Sequence, residues 1–150
     1  FVKKRPLDAS LQKKIRLLSP EYGSIITDNL QQGLPAISLS AHTDLLTAII
    51  NDINGDLVFA QQVTGYGKEG DVLLGLSTSG NAKDVLYACI IARAMGLKTI
   101  GMTCASGGTI KDMCDVLINV PETSTPSVQE LHIPVYHAIC LMVEEAFFHL

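Results

Sequence analysis

Residues 70–81 read Gly70-Asp-Val-Leu-Leu-Gly-Leu-Ser-Thr-Ser-Gly-Asn81, and this stretch settles the class of fold. An apolar run from Val72 to Ser77 ends in a cluster of hydroxyls and a glycine, and helical spacing begins at once. Val85, Leu86, Cys89, Ala92 and Arg93 recur at intervals of three and four, which predicts a helix over 81–95 with Gly96 as its C′ stop. An apolar run without strict alternation suits a strand covered on both faces, as in a parallel sheet. A strand that feeds directly into a helix is the first half of a βαβ unit.

On either side of this stretch the same alternation continues. Short β-rich runs stand at Ala36–Ser40, Thr99–Thr103 and Val116–Val120. Helical spacing is expected over 44–53, with Thr43 as N-cap, and over 56–66. It returns at 127–148, with Leu131, Val135, Ile139, Met142, Val143 and Ala146 facing inward. Pro134 falls inside the last pattern and should kink that helix or mark its true start. The expected class is α/β, a three-layer parallel sheet flanked by helices with flavodoxin- or Rossmann-like topology and a long C-terminal helix. Residues 1–34, punctuated by Pro6, Pro20, Gly23 and Gly33, form a separate basic arm or insert with one helix expected at 9–18; residues 35–150 form the main domain.

Composition excludes several alternatives. With 47% hydrophobic and 17% charged residues among 150, the chain is neither disordered nor a linker. No uninterrupted apolar run reaches the roughly 18 residues of a membrane span, so no membrane partner is expected. The net charge of −4 hides an asymmetry. Lys3, Lys4, Arg5, Lys13, Lys14 and Arg16 stand against Asp8 alone in the first 16 positions, while the remainder carries five basic and fourteen acidic residues. That acidic remainder repels a nucleic-acid duplex, and the basic segment is expected to be a solvated arm or surface helix. Cys89, Cys104, Cys114 and Cys140 form no Cys-x-x-Cys pair and sit among apolar neighbours, as reduced, buried thiols of a cytoplasmic protein do.

The loop at 77–80 carries the chemistry. Three hydroxyls and Gly80 lie where a strand's carboxyl end meets a helix N-terminus, whose first N–H groups are unpaired and whose dipole favours anions. A helix cap requires one such hydroxyl; a run of three favours anion binding. The Walker lysine is absent. Thr103-Cys-Ala-Ser-Gly-Gly108 would lie beside this loop at the carboxyl edge of the sheet, and reads as a plain turn. Asn51-Asp52 is a polar pair that reads as a helix C-terminus running into the Asn54-Gly55 turn. Gln129, Glu130, His132 and His137 gather early in the terminal helix, each His a buried structural residue or a ligand. His42 and His149 read as surface residues.

These motifs together resemble the SIS (sugar isomerase) domain family, and within it the phosphoheptose isomerase branch. The resemblance rests on residues 70–81, Ala94-Met-Gly-Leu-Lys98, Gly107-Gly108, Cys114-Asp115 and Gln129-Glu-Leu-His-Ile-Pro-Val-Tyr-His137, and runs from about Pro35 onward. It implies that Ser77, Thr78 and Ser79 bind a sugar phosphate, that Asn51 and Asp52 contact the substrate, and that Gln129 and His137 are zinc ligands. His137 would also transfer the proton in an aldose–ketose isomerisation of sedoheptulose 7-phosphate to D-glycero-D-manno-heptose 7-phosphate. A cytoplasmic homo-oligomer, dimer or tetramer, is implied as well.

The chain departs from the family pattern in three places. Ala82 stands where many members have Ser. The basic segment is longer than usual. The family's first strand with its Gly-Asn-Gly-Gly-Ser loop, and the next helix with a His and a catalytic Glu, have no counterpart in these residues. Zinc is therefore expected to be weak or missing on this chain alone. The alternative reading is a non-catalytic SIS module that binds a phosphosugar or associates with a replication initiator or regulator; His137 weighs against it.

Overall fold

The computed structural model describes residues 5–148. Three parallel strands form its sheet: β1 (Val72–Leu76), β2 (Lys98–Thr103) and β3 (Val116–Asn119), in the order β1-β2-β3. The register pairs Val72 with Lys98, Leu76 with Met102, Ile100 with Val116 and Thr103 with Asn119. Helices α1 (Ala9–Leu18), α2 (Gly23–Asn29), α3 (Thr43–Asp52), α4 (Val58–Tyr66), α5 (Lys83–Ala94) and α6 (Thr125–Phe148) complete the α/β architecture expected from the sequence. Short 3₁₀ turns occupy Gly55–Leu57 and Ile110–Met113.

The chain divides into two compact units, one holding Ser38–Ile139 and the other the residues up to Ile37 together with those from Cys140 on. In the larger unit α4 and α5 bury Val63, Ala88 and Ala92 with Leu97, and Leu39, Phe59, Leu73, Ile91 and Met95 pack around them. Gly75 and Gly101 are register partners whose missing side chains make room for sulfur. A Cβ on Gly75 would meet Val85 Cγ1 at 2.9 Å and Cys89 Sγ at 3.5 Å, and one on Gly101 would meet Cys114 Sγ at 2.5 Å. Burial pushes the Cys89 thiol up to about 12, the behaviour of a packing group and not of a nucleophile. At the start of β2 the Asp115 carboxylate accepts from the Thr99 N–H at 2.7 Å and its hydroxyl at 3.0 Å. These bonds, the backbone one foremost, hold the Asp115 carboxyl below its ordinary value.

In the smaller unit α1 matches the expected helix residue for residue, with Asp8 capping it through Leu11 N–H. Arg16 donates to Thr27 and pairs with Asp28, fastening α1 to α2. Arg5 is not the solvated residue expected of a basic arm: it is 5% exposed, ion-paired with Glu144 and set over the Phe148 ring. Its guanidinium needs a partner in order to be buried, and Glu144 supplies one. Lys13 and Lys14 are exposed as expected, whereas Lys3, Lys4 and His149 lie outside the described residues.

Several other expectations need correction. Residues 36–40 form no strand. They run irregularly, and the Leu39 carbonyl is satisfied by the Gln62 side chain at 2.9 Å. His42, not Thr43, occupies the N-cap of α3. Pro134 does not mark the start of α6, which begins at Thr125 and continues through it: the one hydrogen bond proline removes would have gone to the carbonyl of exposed Glu130, which water can reach. The inward residues of α6 are Val128 and His132, while Leu131, Met142 and Val143 are exposed and Val135 and Ile139 half-buried. All four cysteines are free, but only Cys89 and Cys104 are buried; Cys140 is exposed and Cys114 intermediate.

Candidate active site

The site is built at the carboxyl ends of β1 and β2. Beyond Leu76 the chain leaves the sheet with one last ladder bond, Ser77 N–H to the Met102 carbonyl at 3.0 Å. It then turns through Thr78, Ser79 and Gly80 into α5. Ser77 is buried, and its Oγ accepts from Ala82 N–H at 3.4 Å. Ser79 Oγ accepts from Asn81 N–H at 3.2 Å. One hydroxyl therefore serves the helix start and another the turn. The backbone N–H groups of Thr78 and Ser79 donate to no acceptor among the described residues, which leaves unspent donors beside the N-terminus of a twelve-residue helix.

The second glycine loop, expected to be a plain turn, packs directly on the first. Gly80 has φ +70° and Gly108 φ +57°, and a Cβ on Gly80 would overlap the Gly107 carbonyl. The Gly80 carbonyl accepts from Ile110 N–H at 3.0 Å and from the Thr109 hydroxyl at 3.1 Å. Asn81 closes the clasp, with Oδ1 accepting from Thr109 N–H at 3.0 Å and Nδ2 donating to the Ser79 carbonyl at 3.2 Å. Behind it Asn119 Nδ2 donates to the Cys104 carbonyl at 2.8 Å. The Cys104 thiol is held below the usual thiol range by hydrogen bonding to Ser106, whose Oγ is 3.3 Å away. Thr109 and Asn119 carry no motif that marks them in the sequence; the one available signal is a polar Asn ending the apolar run Val116-Leu-Ile-Asn119.

Helix α6 brings one more expected residue to this place. Gln129 Nε2 donates to Thr78 Oγ1 at 3.4 Å, joining two residues 51 positions apart. His132 is buried with Nε2 3.3 Å from the Thr103 carbonyl, the structural role that was one of its two readings. His137, exposed on the same helix, sets its ring against the edge of Tyr136 at 4.7 Å. Asn51 and Asp52 end α3, both exposed, and make no side-chain hydrogen bond among the described residues. Ser77, Thr78, Ser79 and Gln129 are thus gathered; His137, Asn51 and Asp52 make no hydrogen bond to them among the described residues. His42 is half-buried, its ring 5.7 Å from that of Tyr66.

Among the described residues no group of three or more His, Cys, Asp and Glu side chains is placed to hold a metal ion. Protein zinc sites draw on three or four side chains, so Gln129 and His137 do not by themselves fit one.

The fold is that of an α/β domain with a hydroxyl-rich loop at a helix N-terminus, and comparison with known proteins names its kind. The family model described as "SIS domain" matches residues 17–104, and the chain belongs to that family. The match begins inside the basic segment that was expected to stand apart as an insert. Among curated relatives, the phosphoheptose isomerase of a Nitratiruptor species is 50% identical over 117 residues, 78% of this chain and 63% of that protein. The phosphoheptose isomerase of Rhodospirillum rubrum is 47% identical over 113 residues, 75% of this chain and 60% of that protein. The chain spans just under two thirds of the length of these relatives. A solved phosphoheptose isomerase from Neisseria gonorrhoeae superposes with TM-score 0.70 at 36% identity, covering 91% of this chain and 73% of that one. Another from Francisella tularensis gives 0.74 at 32%, covering 77% and 62%.

Proposed function

We propose that the protein is a phosphosugar aldose–ketose isomerase converting sedoheptulose 7-phosphate to D-glycero-D-manno-heptose 7-phosphate. The observation that carries this reading is the Ser77–Gly80 loop. Its unspent amides and hydroxyls at the α5 N-terminus suit a phosphate dianion, and the Gln129 side chain lies across it at Thr78. The relatives named phosphoheptose isomerase supply the substrate. Ser77, Thr78 and Ser79 hold the phosphate, while Asn51, Asp52 and Gln129 orient the sugar. His137 takes a proton from C1 of the ketose and an enediol forms; return of a proton to C2 gives the aldose. Gln129 and His137 are the two residues of this chain that would contribute to a zinc site, too few to hold the ion by themselves; zinc held there would supply polarisation of the carbonyl.

The protein is proposed to work as a homo-oligomer in the cytoplasm. Helix α6 exposes apolar side chains, Leu131 and Ile133 in the larger unit and Leu141, Met142 and Phe147 in the smaller, of a kind that association with a second copy would bury. By length and composition alone α6 is also apolar enough to cross a membrane. Its buried Val128 and His132, and Glu130, His137, Glu144 and Glu145 along its length, favour the subunit interface.

Incubating the protein and zinc with sedoheptulose 7-phosphate should give an aldose signal by NMR. His137→Ala should abolish turnover and leave phosphate affinity, measured by calorimetry, unchanged. Intact phosphate binding without turnover in the unsubstituted protein would overturn the isomerase in favour of a binding module.

A further inference from the structure

Helix α6 touches the phosphate loop through one exposed hydrogen bond, Gln129 Nε2 to Thr78 Oγ1, at 3.4 Å. A bond of that length in water contributes too little to hold a helix in register. The anchors lie on the buried side of the same two turns. Val128, fully buried, packs with Cys104 and Val120 beyond the ends of β2 and β3. One turn later His132, 5% exposed, meets the Thr103 carbonyl. That carbonyl already accepts from Val120 N–H at 3.0 Å, so His132 takes its remaining lone pair. A carbonyl only accepts, so Nε2 carries the proton.

The contacts close a circuit. Gln129 donates to Thr78; the Thr78 carbonyl accepts from Cys104 N–H at 3.1 Å; Cys104 follows Thr103; and Thr103 is held by His132, three residues from Gln129 on α6. Displacing His132 lets the first turns of α6 rotate or slide against the strand ends, and Gln129 moves with them. His137, five residues on, is carried by the same helix.

We infer that His132 is a positioning residue for the reaction, fixing through the Thr103 carbonyl the register of α6, and so of Gln129, against the Ser77–Gly80 loop. The inference rests on the proposed isomerase reading for its kinetic consequence and on the geometry alone for its structural one. Val128 supplies apolar burial without direction; the His132 hydrogen bond supplies direction, which is what orientation of a reacting group demands.

The test compares the unsubstituted chain with His132→Gln, whose side-chain N–H can reach the Nε2–H position, and His132→Leu, which fills similar space without a donor. Long-range ¹H–¹⁵N spectra of the unsubstituted protein should show His132 as the Nε2–H tautomer at neutral pH; an Nδ1–H tautomer overturns the inference. His132→Leu should lower kcat by roughly tenfold to a hundredfold while the affinity for inorganic phosphate stays level. His132→Gln should recover most of that loss. Equal loss in both variants, or phosphate affinity falling in step with kcat, overturns it.

If the unsubstituted protein does not turn over, the isomerase reading falls, and the Gln129 side-chain amide resonance decides the positioning role instead. That resonance should move in His132→Leu and stay in place in His132→Gln; an unmoved signal in His132→Leu overturns the role. If His132→Leu fails to fold, the tautomer and the His132→Gln spectrum decide.

Discussion

Two loops of similar composition sit side by side at the carboxyl edge of this sheet, and they do different work. Ser77-Thr-Ser-Gly80 and Cys104-Ala-Ser-Gly-Gly108 both come after a strand and both combine Ser with Gly. The first leads into the twelve-residue α5 and leaves the Thr78 and Ser79 amides unspent. The second leads into a four-residue 3₁₀ turn; Ala105 N–H donates to the Glu122 carbonyl, Gly107 N–H to Cys104 and, just beyond the loop, Thr109 N–H to Asn81 and Ile110 N–H to Gly80, while the Gly108 N–H, like those of Thr78 and Ser79, donates to no acceptor among the described residues. Free amides occur in both loops, but only those of the first stand in front of a long helix dipole. The element downstream of a Ser/Gly loop matters as much as the loop's own residues.

The harshest test of this division lies at the point where the loops meet. Gly80→Ala places a methyl group on the Gly107 carbonyl and forces a left-handed φ on alanine, so it should cost about 3 kcal/mol or prevent folding, as read by urea denaturation. Next in size is a difference between the loops. Thr78→Val removes a hydroxyl from the first and should weaken phosphate binding about tenfold by calorimetry, or roughly 1.4 kcal/mol. Ser106→Ala in the second should leave that affinity unchanged, and an equal loss in both would erase the distinction.

The smallest effect should come from the far end of the strands. The Asp115 carboxyl is depressed in the folded protein, so its contribution is complete above its ordinary value of 3.8 and fades as pH falls through the folded value. Melting temperature should therefore drop more steeply below about pH 4 in the unsubstituted protein than in Asp115→Asn, and phosphate affinity near neutral pH should be the same in both.

Much of this was legible locally. The run from Gly70 to Asn81 announces a strand, a hydroxyl-rich turn and a helix because each depends on neighbours within a few residues. α1 was legible for the same reason, with Asp8 before it. The segment 36–40 misled because a strand needs an edge to pair with, and apolar spelling does not reveal one. α6 misled in two ways. Leu131 and Val135 are the more hydrophobic choice for an inward face, yet Val128 and His132 occupy it, since a buried imidazole facing a carbonyl is as well satisfied as a leucine in oil. Pro134 reads as a kink or a helix start, yet α6 already runs through the exposed position it occupies.

Short-range spacing alone dictates the alternation of β1, α5, β2 and β3 and the hydroxyl-rich loop before α5, though not the irregular course of residues 36–40 or the helix α2. What it dictates is written in intervals shorter than a helix. Tertiary packing was needed to settle that Gly80 and Gly108 touch, that Asn81 clasps Thr109 across 28 positions, and that His132 fastens α6 to the end of β2. Those contacts join segments far apart in the chain, where hydrophobic periodicity carries no information about which side chain meets which carbonyl.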